Sequence, residues 1–136
     1  MNKREMDYII IIGCGAFGAN VAEYLSTQKK SVVIIDKKEN SFEKLSENFS
    51  GFTIEDDGIE KDTLLLANIE RAEIVITATN DDNTNLMIAQ IAKKIYNVPK
   101  VIARVFDPTR EKIYEDFGIE TISPISLSIE KFKSLV

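Results

Sequence analysis

The sequence contains no histidine, which removes the commonest general base and the commonest metal ligand. Its single cysteine, Cys14, excludes a disulfide framework within the chain and leaves no zinc-type ligand set. No apolar run approaches the roughly 20 residues that a bilayer span requires. The N-terminus, Met1 to Glu5, is followed by an apolar run too short for a signal-peptide core, so the expected compartment is the cytoplasm, with any membrane role supplied through a partner. Basic residues are also in deficit. Seventeen lysines and arginines against 22 aspartates and glutamates leave a formal charge of −5, which repels a phosphate backbone and argues against nucleic acid as a partner. There is no internal repeat, no low-complexity stretch and no Pro/Gly/Ser linker. The 136 residues, 44% of them hydrophobic, therefore read as one domain with a core of its own.

What is present is an alternation of short apolar runs and helical patterns. Residues 8–12, 32–35, 52–54, 74–78 and 101–105 are β-branched and apolar on both faces, as expected of parallel strands buried between two helix layers, and a sixth strand is expected over 120–123. Between them, Asn40 and Glu43 have capping-box spacing, Asp107 and Pro108 form an N-cap with a first-turn proline, and Gly118 is placed to end the helix that follows. Residues 83–96 carry Leu86, Ile88, Ala89, Ile91, Ala92 and Ile95, a wide helical face for packing on a sheet. The fold class this implies is α/β, a Rossmann-like doubly wound parallel sheet with right-handed crossovers over residues 1–123. Residues 124–136 form a C-terminal helix with Ile125, Ile129, Phe132 and Val136 at helical spacing. That stripe has two uses, packing on the domain's own sheet or crossing to a second copy.

Gly13, Cys14, Gly15, Ala16, Phe17 and Gly18 spell G-x-G-x-x-G directly after a strand and at the start of a helical pattern, and the next strand ends at Asp36. In this context Gly13 permits the tight turn, Gly15 lets a pyrophosphate approach the main chain, and Gly18 lets the helix pack closely. Phosphate is then bound by helix-start amides and the helix dipole rather than by a basic side chain. Asp36 can accept hydrogen bonds from both ribose hydroxyls and repels a 2′-phosphate, which selects NAD(H) over its phosphorylated counterpart. The bland alternative is an ordinary strand-to-helix turn with a solvated Asp36. Cys14 reads as a small buried residue, since nothing cationic adjoins it in sequence. Thr79 and Asn80, at the end of the fourth strand, border the crevice or cap the following helix with Asp81, Asp82 and Asn85; both roles are compatible. Asp57 falls on the adenine side. Arg104 ends the fifth strand among carboxylates, and for both residues ion pairing is the favoured role.

Over residues 8–124 the chain resembles the RCK domain, the nucleotide-binding regulator of conductance in Trk and Ktr potassium-uptake systems and related channels. The matching stretches are IIIIGCGAFGANVAEYL, VVIID, EDDGIEKDTLLLANI, ITATNDDNTNLMIAQIAKK, VIARVFDP and FGIETISP. The resemblance implies a dimerising Rossmann sheet that binds NAD(H) or AMP, ADP or ATP. Its contacts would be the loop from Gly13 to Gly18 at the phosphates, Asp36 and Lys37 at the ribose, Asp57 and Gly58 near the adenine, Thr79 and Asn80 in the crevice, and Arg104 at its edge. It further implies a homodimer or higher ring, held at the inner face of the cell membrane by a potassium transporter or channel subunit, with the terminal helix as a dimer crossover. Two departures stand out: Ala16 occupies a position where Ktr-type members often carry Arg, and Asp56 replaces a glycine before Asp57. The residues beyond 124 are too few for the smaller C-terminal ligand-binding domain of many members. The leading expectation is thus a regulatory subunit without catalysis. The alternatives are a small NAD-dependent oxidoreductase, or the cofactor half of one, and an interaction module that has lost its nucleotide.

Overall fold

The uninterrupted apolar runs make strands because each must bury both faces, and the computed structural model, which describes Arg4 and residues 7–136, shows where those faces go. The elements in chain order are β1 (Tyr8–Ile12), α1 (Ala16–Thr27), β2 (Ser31–Asp36), β3 (Phe52–Glu55), α2 (Lys61–Leu66), β4 (Ile74–Thr77), α3 (Asp82–Gln90), β5 (Lys100–Arg104), α4 (Glu111–Asp116), β6 (Glu120–Ile122) and α5 (Pro124–Leu135). They form one six-stranded sheet of order β3-β2-β1-β4-β5-β6, with every pairing parallel. Each strand lies within one residue per end of its sequence expectation.

Alternate residues of the central strands feed two cores. Ile10, Ile12, Val33, Ile35, Val75 and Val101 pack on one face with Leu64, Ile69, Ile88 and Tyr114. Ile9, Ile11, Val32, Ile34 and Ile76 pack on the other with Ala19 and Ala22 of α1. Burying one such isoleucine contributes about 1.5–3 kcal/mol, so β1 and β2 anchor the sheet. The connection leaves β1 toward β2 on one side and, after β3, returns to β4 on the other. The crevice at the carboxyl ends of β1 and β4 is therefore the topological switch point.

Three expectations need correction. β3 is an edge strand rather than one buried on both faces: it pairs only with β2, and Phe52 is 74% exposed. Asn40 and Glu43 form no capping box, because residues 39–44 wind as a short 3-10 helix preceded by Lys38, and no side chain caps it. The helix expected over 83–96 begins at Asp82, capped by Asp81, which accepts hydrogen bonds from Thr84 N (3.1 Å) and Thr84 Oγ1 (2.6 Å). It then widens into a π-helical turn over Ile91–Ile95, marked by the five-residue bond from Tyr96 N to Ile91 O. Of the two uses left open for the α5 stripe, packing on the domain's own sheet is not the one seen, since none of its residues is buried.

The Asp107 and Gly118 expectations hold. Asp107 accepts from Thr109 N at 3.0 Å with Pro108 next in the chain. Gly118, at φ +76°, donates to Glu115 O while Ile119 donates to Tyr114 O, a Schellman closure of α4.

Candidate functional site

The crevice starts with the three glycines, each required for a different reason. Gly13 has φ +109°, and a Cβ there would lie 2.5 Å from Ala78 O, so the turn between β1 and α1 needs glycine twice over. At Gly18 a Cβ would stand 1.9 Å from Gly13 O, which makes this residue the contact that lets α1 pack against the end of β1. A Cβ on Gly15 would meet nothing within 4 Å. Gly15 is also the N-cap of α1 and no side chain caps this helix, so its first-turn amides, which have no partner within the helix, remain for a ligand.

The carboxylate of Asp36 is pinned to this loop. Its Oδ2 accepts from Cys14 N at 2.8 Å and its Oδ1 from Lys38 N at 2.9 Å, which fixes its orientation while leaving acceptor capacity for a ribose. The Cys14 thiol is buried and donates to Ser41 O at 3.4 Å. Burial pushes its pKa up and Asp36 adds to the rise, against an opposing effect of Lys44; the thiol stays neutral, as the sequence reading expected.

On the β3 side, Lys37 Nζ pairs with Asp57 Oδ2 at 3.6 Å, and Asp57 Oδ1 accepts from Ile59 N at 3.0 Å. Gly58 sits so close to β1 that a Cβ would lie 2.5 Å from Ile12 Cγ2. On the β4 side, the fully buried Asn85 organises the loop. Its Oδ1 accepts from Thr79 N (2.9 Å) and Thr79 Oγ1 (2.6 Å), and its Nδ2 donates to Thr79 O (3.1 Å) and Arg104 O (3.0 Å). Thr79 and Asn80 thereby border the crevice, while the cap of α3 is supplied by Asp81.

These parts enclose a cleft of about 750 Å³, a volume suited to a nucleotide. Gly13, Cys14, Gly15, Ala16, Asp36, Lys37, Asp57, Gly58, Thr79 and Asn80 all line it. Phe17, Gly18 and Arg104 do not. Phe17 packs into the α1 core, Gly18 faces Gly13, and Arg104 lies behind Thr79. Arg104 also forms no ion pair with a carboxylate among the described residues; it is held instead by main-chain and amide oxygens and by two aromatic rings.

The structure adds Lys38, Ser41 and Lys44 to the lining. Lys38 was signalled by its place beside Lys37, whereas Lys44 reaches the cleft only through the 3-10 turn that the sequence reading missed. A second groove of about 740 Å³ opens at the amino ends of β1, β2 and β3, among Tyr8, Val33, Phe52 and Leu66, and contains none of this machinery.

Comparison with known proteins agrees with this architecture. A "Trk system potassium uptake protein TrkA" of Streptomyces coelicolor is 35% identical over 118 residues, which cover 87% of this chain and 53% of the relative. The chain thus spans about half the length of the curated relatives it matches. Among solved structures, the TrkA-N domain of inner membrane protein ybaL from Escherichia coli superposes with a TM-score of 0.85 at 16% identity, covering 96% of each chain. The Kef CTD of Shewanella denitrificans in its AMP-bound form gives 0.76 at 26% identity, over 94% of this chain and 81% of that one. The model of the TrkA-N domain matches residues 9–124, and with that span, the strand order and the glycine loop in agreement, the chain belongs to the TrkA-N domain family.

Proposed function

We propose that the chain binds an adenine nucleotide, NAD(H) or AMP, ADP or ATP, in the cleft at the Gly13 loop and serves as the regulatory, non-catalytic nucleotide sensor of a membrane potassium uptake system. The observation that carries this reading is the coupling of the loop to Asp36: the same carboxylate that would take the ribose hydroxyls is fixed by Cys14 N, one residue before the open face of Gly15. Phosphates would meet the α1 amides between Gly15 and Gly18. The ribose would meet Asp36 and Lys37, the adenine would lie toward Asp57 and Gly58, and Thr79 with Asn80 would close the opposite wall. The AMP-bound Kef neighbour supports the ligand class, and the potassium-uptake relative supports the system.

In this reading the domain acts on the potassium pathway at the inner face of the membrane; no helix among the described residues is long and apolar enough to cross a membrane. The cleft lacks histidine, the commonest general base, and burial raises the pKa of its one thiol, both of which favour a sensing role. Titration calorimetry with NAD, NADH, AMP, ADP and ATP, run beside an NADH turnover assay, tests the reading. Binding without turnover supports it; a protein that binds none of the five overturns it.

A further inference from the structure

The guanidinium of Arg104 is the least expected group near the cleft. The residue is 7% exposed, and its guanidinium carbon lies over the rings of Phe17 (5.5 Å to the centroid) and Phe106 (4.7 Å). Its Nη2 donates to Thr79 O at 2.8 Å and to Asn80 Oδ1 at 3.2 Å, while Nε is buried without a partner among the described residues. Holding a cation and an unmatched N–H inside a protein costs stability, and an apolar side chain of similar volume would fill the same space. The placement of the group indicates what it provides instead. Phe17 stands in the first turn of α1, one bank of the cleft, and Thr79 and Asn80 form the other. Asn85 already secures the backbone of Thr79, whereas the side-chain amide of Asn80 has only Arg104 as a hydrogen-bond partner among the described residues.

Resting on the reading that the cleft takes an adenine nucleotide, we propose that Arg104 is a positioning residue, which holds the amide of Asn80 and the first turn of α1 at a fixed separation and so sets the fit for the part of the ligand beyond the adenosine. The groups assigned to adenosine, Asp36, Lys37, Asp57 and Gly58, lie on the β2 and β3 side of β1, whereas Arg104 lies across β4 on the other. Loss of Arg104 therefore separates the two halves of the ligand.

The test uses the full chain, with adenosine, ADP and NAD titrated by competition, and with Arg104→Met, Arg104→Lys, Asn80→Ala and the double variant Arg104→Lys/Asn80→Ala. Arg104→Met is expected to melt at or above the parent temperature, to bind adenosine as the parent does, and to lose about tenfold in ADP and NAD affinity, the scale of one charge-assisted hydrogen bond. Arg104→Lys keeps the charge but lacks the planar fork, and should show a smaller loss of the same selective kind. Because Arg104 acts through Asn80, the double variant should bind ADP no more weakly than the weaker single variant. Equal losses for adenosine and ADP, unchanged ADP binding in both arginine variants, or additive effects in the double variant would each overturn the proposal. Should Arg104→Met fail to fold, the lysine variant and the double variant decide it alone. A parent protein that binds none of the three ligands overturns the proposal, and one that also fails to bind NADH, AMP and ATP overturns the functional reading itself.

Discussion

At the scale of single residues, the glycine loop makes two opposite predictions from neighbouring positions. Gly15→Val places its side chain in open space, so the variant should unfold at the parent's urea midpoint and yet lose nucleotide binding in calorimetry. Gly18→Ala drives a methyl to 1.9 Å from Gly13 O and should cost about 1–3 kcal/mol by the same denaturation curve. A Gly15→Val protein that folds and still binds ADP like the parent would remove the ligand from this loop. Ribose selectivity follows from Asp36, whose pinned carboxylate opposes a 2′-phosphate in a partly desolvated crevice: NADH should bind more tightly than NADPH in side-by-side titrations, and equal affinity would contradict that role. Ala16 leaves the loop without a cation of its own, so Ala16→Arg should favour ATP over AMP by about 1–2 kcal/mol, read from paired dissociation constants. The loop was legible in the sequence because the positive φ of Gly13 and the close approach of Gly18 to Gly13 O arise within the loop itself, although Gly13 also abuts Ala78 beyond β4. Arg104 was not, because its surroundings are Phe17, Thr79 and Phe106, which meet only when β1, β4 and β5 lie side by side.

Elements were legible to the extent that burial is two-sided. β1 and β2 were read almost to the residue, since a run such as Ile9 to Ile12 has no solvated face to confuse its period. β3 misled for the converse reason: Phe52 and Ile54 look like core, but at a sheet edge only one neighbour exists and Phe52 stays in water. The Asn40 and Glu43 spacing was likewise present without a helix long enough to use it. Gly118 shows a local signal that does hold. Its φ of +76° is forced by the Schellman closure, and an added Cβ would touch only Lys93 Cε at 3.5 Å, so Gly118→Ala isolates the backbone cost. It should destabilise the domain by about 1 kcal/mol in urea titration without altering nucleotide affinity, because α4 lies away from the cleft lining.

At the scale of the whole molecule, α5 stands apart from the core. The helix is anchored at its start, where Ser123 caps it through Ser126 N and Ser126 Oγ donates to Glu111 of α4 at 3.1 Å, and beyond that turn it buries nothing. Ile125, Ile129 and Phe132 are 46%, 47% and 63% exposed along the stripe that the sequence displayed, with Leu127 and Leu135 beside it. An apolar face of this extent on an otherwise ordinary surface calls for a cover. The domain's own sheet does not supply one; the family resemblance implies a second copy there, and two-fold symmetry is the commonest such arrangement. Each large side chain buried there would contribute about 1.5–3 kcal/mol, enough across two copies to outweigh the ordering cost of association. Sedimentation velocity of the full chain should accordingly show a dimer, and Ile129→Asp/Phe132→Asp should shift it to monomer while nucleotide affinity, set at the far side of β4, changes little. A full chain that sediments as a monomer, or a doubly substituted one that dimerises as well as the parent, would show that α5 is not the assembly element. Any signal from the cleft would then have to leave the domain through another surface.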